Sequence, residues 1–179
     1  MSCSVSIQQV DFDLSTEVAV LRRGDHRVGA VCSFVGTVRG AGSSHPGPPP
    51  KTGEGGGPVA NGEDVGACVL SIEIEHYPDM TEKAIESMMQ EARRRFDIFG
   101  IRIIHRVGLL QRGDQIVMVA VTSAHRGQSY QACEFLMDYL KTQAPFWKKQ
   151  RTLDGERWVD PRTSDDNALA RWNIPSGNA

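Results

Sequence analysis

The sequence predicts an α+β domain in which helices pack on a largely antiparallel sheet. Apolar residues recur at helical spacing in two long stretches, and short runs rich in β-branched residues separate them. The resulting order is β-α-β-insert-β-α-β-β-α-β. The 179 residues are 40% hydrophobic and 23% charged, which is typical of a domain with its own core. The net charge of −2 indicates no general attraction to nucleic acid or to an anionic membrane.

Three short elements precede the insert. Residues 4–10 alternate weakly between apolar and polar side chains and favour an edge strand. Ser15 or Thr16 can cap a short helix, which Gly24 ends. Residues 28–39 are rich in Val and Phe and predict a second strand.

Residues 40–66 have a different composition. Of these 27 residues, 9 are Gly and 5 are Pro, and none is Ile, Leu, Met, Phe, Tyr or Trp. Such a stretch cannot bury enough apolar area to offset the entropy lost on ordering. We therefore expect a flexible insert within a single domain that covers residues 1–162, followed by a loose tail over residues 163–179.

The second half predicts strands and two amphipathic helices. The strand after the insert places apolar residues on one face, namely Cys68, Leu70, Ile72 and Ile74. A helix then begins at the capping-box pair Asp79 and Glu82, with Thr81 as the alternative cap, and its core stripe is Ala84, Ile85, Met88, Met89, Ala92 and Phe96. Strands follow at 101–107, 115–123 and 156–159. The last helix starts near Ser129 and buries Cys133, Leu136, Met137 and Leu140.

Neither a metal site nor a membrane segment is expected. The four cysteines show no CxxC spacing, and the histidines lack ligand spacing. His105 alternates with apolar residues and is interpreted as a core histidine. The first residues do not resemble a signal peptide, and the longest apolar run, 116–121, is too short to cross a bilayer. A cytoplasmic protein is the expectation.

Residues 139–162 carry the main concentration of positive charge. Six cations, Lys141, Lys148, Lys149, Arg151, Arg157 and Arg162, stand against three acids, Asp154, Glu156 and Asp160. A local basic patch on an acidic chain favours a small anion as ligand, and a lysine beside Phe146 and Trp147 can serve as nucleophile or general acid/base. Alternatively, Lys141 only complements a helix C-terminus and Lys148 extends over Trp147.

Two further segments place cations where strands end. TSAHRGQS, residues 122–129, joins a buried strand to a helix N-terminus, where His125 and Arg126 can donate hydrogen bonds to an anion. The alternative is a structural turn with Ser129 as N-cap. In GTVRG, Arg39 ends a strand at the edge of the insert, and it is either a site residue or a solvated strand end.

Several of these segments together resemble the large, catalytic subunit of molybdopterin synthase. They are FVGTVR, EHYPDMTEKA, IHRVGLLQRGD, VTSAHRGQSYQACEFLMDYLKTQAPFWKK and ERWVD, in this order. The resemblance runs from Val28 to Arg162. The chain departs from the family at the insert, where the family loop is usually short.

The resemblance implies an α/β hammerhead fold and a homodimer at the centre of a heterotetramer. Each large subunit is expected to bind a small ubiquitin-like sulfur carrier, whose C-terminal Gly-Gly thiocarboxylate enters its pocket. The substrate is cyclic pyranopterin monophosphate, which receives two sulfurs to become the dithiolene of molybdopterin. The subunit itself is expected to hold no cofactor and no metal.

The resemblance also implies roles for matched residues. Lys141 matches the family's essential lysine and Lys148 its second pocket lysine. Positions that bind the substrate phosphate or line the pocket are matched by Arg39, His125 and Arg126, and Arg162 is expected to reach the pocket of the dimer mate. We expect Phe146 and Trp147 to anchor the segment and exclude water. The alternative function is a binding module that holds single-stranded nucleic acid on a basic, aromatic-bearing flank.

Overall fold

A computed structural model describes residues 3–40, 69–153, 155–159 and 171–172. Within these ranges the chain forms eight strands and three helices. Their bounds are β1 Cys3–Gln8, α1 Leu14–Leu21, β2 Ala30–Thr37, β3 Val69–His76, α2 Met80–Arg95, β4 Gly100–Arg106, β5 Gly108–Gln111, β6 Gln115–Ser123, α3 Arg126–Thr142, β7 Phe146–Thr152 and β8 Gly155–Val159.

The strands form two four-stranded sheets. The first sheet has the order β1-β4-β6-β2, and the second has the order β5-β3-β7-β8. Among the pairings in the described ranges, β1 with β4 is parallel and the others are antiparallel. The predicted α+β class with a largely antiparallel sheet is confirmed.

The main core lies between the first sheet and helices α2 and α3. The predicted stripe of α3 is buried throughout, and that of α2 is buried at Ile85, Met88, Met89 and Ala92. These side chains pack on alternate residues of β4 and β6, which point to the same face. The residues between them, Ile104, Met118 and Ala120, face the opposite side and pack with Phe12 and Leu21 beside α1.

Two strands were not predicted, and each has a physical reason. β5 has four residues, Gly108–Gln111, which is too short for an alternating pattern to emerge. β7 reads FWKKQRT, with its apolar residues confined to the first two positions. It is held in the sheet by ladders to β3 on one side and β8 on the other, a tertiary context that its own composition does not show.

The first two helix caps also differ from expectation. α1 is capped by Asp13, whose Oδ1 accepts a hydrogen bond of 2.7 Å from the backbone N–H of Thr16. Asp79 is the N-cap of α2 with φ 63°, but its side chain makes no capping bond, so the expected capping box is absent. Thr81, the alternative cap, lies inside the helix instead, and its hydroxyl bonds both backbone groups of Tyr77 at 3.3 and 3.0 Å.

Two further expectations shift by a few residues. α3 begins at Arg126 rather than near Ser129, and the Ser129 hydroxyl donates to the carbonyl of Arg126 at 3.0 Å. On β3, Leu70 is 36% exposed while Val69 is buried. A register shift between Val69 and Ser71 explains this exchange, because a bulge reverses the faces of the residues before it.

The insert and most of the tail lie outside the described residues. Of the insert predicted over 40–66, only Gly40 is described, and Cys68 is also outside. In the tail, Arg171 binds Glu134 and Asp138 at 2.9 and 2.6 Å, and the Trp172 indole donates to Asp138 at 2.8 Å. For these two residues a loose tail is the wrong description, since they are docked on α3. In the described ranges, no helix has the length and apolarity required to cross a membrane.

Candidate functional site

The cations of strand β7 point to two different faces of the second sheet. Lys149 and Arg151 point to the outer face of the second sheet, where both bind the carboxylate of Glu156 at 2.5 Å. These contacts raise the pKa of Lys149 and lower that of Glu156. Two of the cations are therefore partly neutralised there. A continuous basic face, which the nucleic-acid alternative requires, is not formed by this strand.

Phe146 and Lys148 share the other face of β7. Lys148 stands opposite Ile74 in β3 and Val159 in β8, and directly opposed residues in a ladder point to the same side. Phe146 is half-buried and anchors the segment as expected. Trp147 lies on the outer face, 46% exposed, where it meets Tyr77 edge-to-face at 6.5 Å. The expected anchoring by Trp147 is thus wrong, and Lys148 and Trp147 point to opposite faces.

His105 forms the base on which Phe146 rests. Their rings stack with centroids 3.8 Å apart and planes inclined by 14°. His105 is 9% exposed, and its Nδ1 lies 2.9 Å from the carbonyl oxygen of Arg106. Because a carbonyl only accepts, Nδ1 carries a hydrogen, and burial keeps the ring neutral by lowering its pKa. The interpretation of His105 as a core histidine with its hydrogen bond made is confirmed.

Burial of His105 predicts a pH dependence of stability. Desolvation lowers its pKa from 6.5 to about 4, opposed by the Arg106 hydrogen bond and assisted by the charges of Lys148 and His76. Below pH 6.5, His105 binds a proton in the unfolded chain but not in the folded chain. The free energy of unfolding should therefore fall as the pH drops toward 4, by on the order of 3 kcal/mol in total. Denaturant titrations across this window should show a shallower decline for His105→Phe, and equal slopes would contradict the assignment.

Lys141 and Lys148 flank the connection between α3 and β7. Lys141 is exposed in the last turn of α3, and the C-cap residue after the helix is Gln143, whose N–H donates to the carbonyl of Tyr139 at 2.8 Å. Thr81 holds the connection from the side of α2 by donating its hydroxyl to Pro145 at 3.2 Å. Three residues, 143–145, thus separate the helix carrying one lysine from the strand carrying the other.

Arg39 is held at the end of β2 by the turn between β5 and β6. Val38 donates its N–H to Asp114 and accepts one from Gly113, both at 2.9 Å. Gly40 approaches Arg112 so closely that a Cβ would lie 2.8 Å from its Nε, so only glycine fits without displacing that side chain. The exposed Arg39 side chain consequently starts from a fixed point beside the first residue of β6.

His125 and Arg126 occupy the start of α3. His125 is the N-cap residue, and its side chain makes no capping bond. Both side chains are exposed, and the first turn contains no acidic residue. Ser123 fixes the turn by donating its hydroxyl to the His125 carbonyl at 2.8 Å. A helix N-terminus with two donors of this kind suits an anion.

The predicted site residues fall at two ends of the first sheet. The ladder of β2 with β6 runs from Ala30 opposite Ser123 to Thr37 opposite Gln115, so Arg39 follows one end and His125 the other. Nine residues of β6 span about 30 Å, and α3 returns over about 25 Å. His105 stands opposite Val117, close to the start of β6. Phe146, which stacks on His105, therefore lies at the end of the sheet where Arg39 follows β2.

Within one chain, Lys141, Lys148 and Arg39 therefore lie toward one end of the first sheet, and His125 and Arg126 lie toward the other. Arg162 lies outside the described residues. No group of three or more His, Cys, Asp and Glu side chains in the described ranges is arranged to hold a metal ion. Sequence reasoning did not connect His105 with this site, and its only signal was a histidine within an apolar strand.

Comparison with known proteins shows the family of the chain. The sequence model of the MoaE protein family matches residues 56–143. The molybdopterin synthase catalytic subunit of Ralstonia nicotianae is 47% identical over 98% of this chain and 88% of its own length. The solved MoaE protein of Burkholderia ambifaria is 48% identical with a TM-score of 0.72, covering 97% of this chain and 99% of that one. Molybdopterin synthase from Staphylococcus aureus gives 26% identity and a TM-score of 0.67, over 86% and 95% of the two chains. The chain belongs to the MoaE family of molybdopterin synthase catalytic subunits.

Proposed function

We propose that this chain acts in the cytoplasm and transfers sulfur from a small ubiquitin-like carrier subunit to cyclic pyranopterin monophosphate. The donor is the thiocarboxylate at the C-terminal Gly-Gly of the carrier, and the product is the dithiolene of molybdopterin. The observation that carries the proposal is the placement of Lys141 and Lys148 on either side of a short connection, at the same end of the sheet as Arg39.

Cations are required here because both reactants are anions. A thiocarboxylate and a phosphate lose hydration when they meet in one pocket, and burying either without a partner is costly. Ammonium and guanidinium groups supply charge-assisted hydrogen bonds in compensation. Lys141 then polarises the thioacid carbonyl or carries a proton while sulfur attacks the pterin side chain. Phe146 shields this end of the domain and strengthens these contacts by limiting water.

We infer that each site draws on two copies of the chain. His125 and Arg126 lie about 30 Å of strand away from Arg39, too far to reach the same phosphate. A two-fold dimer can bring the far end of one copy to the near end of the other. In this arrangement His125, Arg126 and Arg162 of one copy complete the pocket that contains Lys141 of the other. The carriers bound at the two outer sites make the assembly a heterotetramer.

Reconstitution tests the proposal directly. The purified chain is mixed with thiocarboxylated carrier and cyclic pyranopterin monophosphate, and the product is identified by mass spectrometry. We expect a product that contains two sulfurs in place of substrate oxygen, and only when all three components are present. The control carrier ends in an ordinary carboxylate. Formation of the dithiolene with that control, or no product with the thiocarboxylate, would contradict sulfur transfer by this chain.

A further inference from the structure

His105 is a buried titratable group that the proposed mechanism does not use. It lies on β4, an inner strand of the first sheet, whereas Lys148 lies on β7 of the second sheet. The flat stack of His105 on Phe146 at 3.8 Å is therefore a direct bridge between the two sheets. Its Nδ1–H···O bond to Arg106, 2.9 Å long, fixes the plane of the imidazole against its own strand.

Phe146 is restrained from two sides. His105 covers one face of the ring, and His76 of β3 stands opposite Phe146 in the ladder, with ring centroids 6.5 Å apart. The backbone N–H of Phe146 donates to Ala144 at 2.8 Å. The first residue of β7 thus has little freedom to rotate or shift.

Phe146 and Lys148 project from the same face of β7. The two residues are separated by one position in a strand, so their side chains leave the same face in register. The contacts that fix Phe146 at the start of β7 therefore also restrain the backbone from which Lys148 projects two positions later. The charge of Lys148 contributes to the lowered pKa of His105.

We propose that His105 is a positioning residue for Lys148, acting through the stack of its ring on Phe146. This inference rests on the proposed role of Lys148 in sulfur transfer. The neutral ring adds a second advantage, because a permanent charge at this position would repel the Lys148 ammonium.

Three substitutions separate the stack from the hydrogen bond. His105→Phe keeps an aromatic ring and loses the bond to Arg106. His105→Asn keeps a donor at the place of Nδ1 and loses the ring. His105→Ala loses both. If the stack positions Lys148, we expect kcat to fall about tenfold or more in the Asn and Ala variants, and to stay within about threefold of wild type in the Phe variant.

The readout must distinguish positioning from loss of fold. Turnover is expressed per molecule that binds carrier, counted by titration calorimetry, and KM for the pterin is measured separately. We expect KM to change by less than about twofold, because Lys148 rather than the substrate is displaced. The matched control is Ile104→Ala, the neighbour of His105 on the opposite face of β4, fully buried against Met118 and Phe12. It should lower the unfolding temperature and leave kcat per competent molecule unchanged.

The outcomes are separable from those of the proposed function. Equal kcat values in the Asn and Phe variants would overturn the positioning role, even if the Ala variant does not fold. An equal loss in Ile104→Ala would overturn it as well, since the effect would then be general. Lys148→Ala is measured alongside. Normal turnover in that variant removes the proposed role of Lys148 itself, whereas an inactive Lys148→Ala with a fully active His105→Asn removes only the inference about His105.

Discussion

Lys141→Ala is expected to abolish product formation while the protein folds and binds its carrier. The side chain is exposed in the last turn of α3, so the fold loses only a favourable interaction with the helix dipole, about 0.3–1 kcal/mol. Loss of a positioned proton carrier or electrophile lowers a rate by about a hundredfold to ten-thousandfold. Single-turnover product formation, followed by mass spectrometry, measures the effect, and calorimetry with the carrier verifies that binding persists.

Two companion variants sharpen this test. Lys149→Ala removes a lysine of the same basic run that points to the outer face and binds Glu156. It should retain most of the activity, and a loss equal to that of Lys141→Ala would indicate a general charge effect. Lys141→Arg keeps the charge, but its guanidinium cannot be deprotonated at neutral pH. Partial activity in this variant favours polarisation of the thioacid carbonyl, and complete loss favours proton transfer. Near-normal turnover in Lys141→Ala would refute the catalytic role.

The helices and the central strands could be predicted because their buried apolar residues recur in the sequence at the spacing of a helix or a strand. Met88 and Met89 in α2, or Leu136 and Leu140 in α3, follow a helical stripe that requires no knowledge of the partner surface. β7 could not be predicted in the same way. The inner face of β7 carries both Phe146 and Lys148. The strand therefore shows no alternation of apolar and polar residues that would predict it.

The site was predicted as a set of residue types and not as a geometry. Lys141, Lys148 and Arg39 are recognisable in the sequence, but the stack of His105 on Phe146 joins two strands of different sheets. No local pattern encodes such a contact. The division of the cations between two ends of β6 likewise depends on the antiparallel register of β2 and β6. Whether a site is completed by a second copy is a property of the fold, which composition does not reveal.

Mixing two inactive variants should restore activity if two copies of the chain form each site. Lys141→Ala disables one half of the proposed site and Arg126→Ala the other. In a mixed dimer, one site combines the two changes and the second site is intact. Random assembly of equal amounts makes half of the dimers mixed, so activity should recover to about one quarter of the wild-type value, for a two-fold symmetric dimer. Co-expression with two different affinity tags isolates the mixed species, in which the recovery should rise to about one half.

The matched control places both changes in the same half of the site. Lys141→Ala mixed with Lys148→Ala gives a dimer in which each site lacks one lysine, because both residues flank the same α3–β7 connection. No recovery is expected there. Recovery in this control, or its absence in the verified Lys141→Ala and Arg126→Ala mixture, would contradict a shared site. The contrast between the two mixtures follows from geometry alone, since β6 separates Arg126 from the end that holds the lysines. It therefore tests the division of the site between copies independently of which chemical step each residue performs.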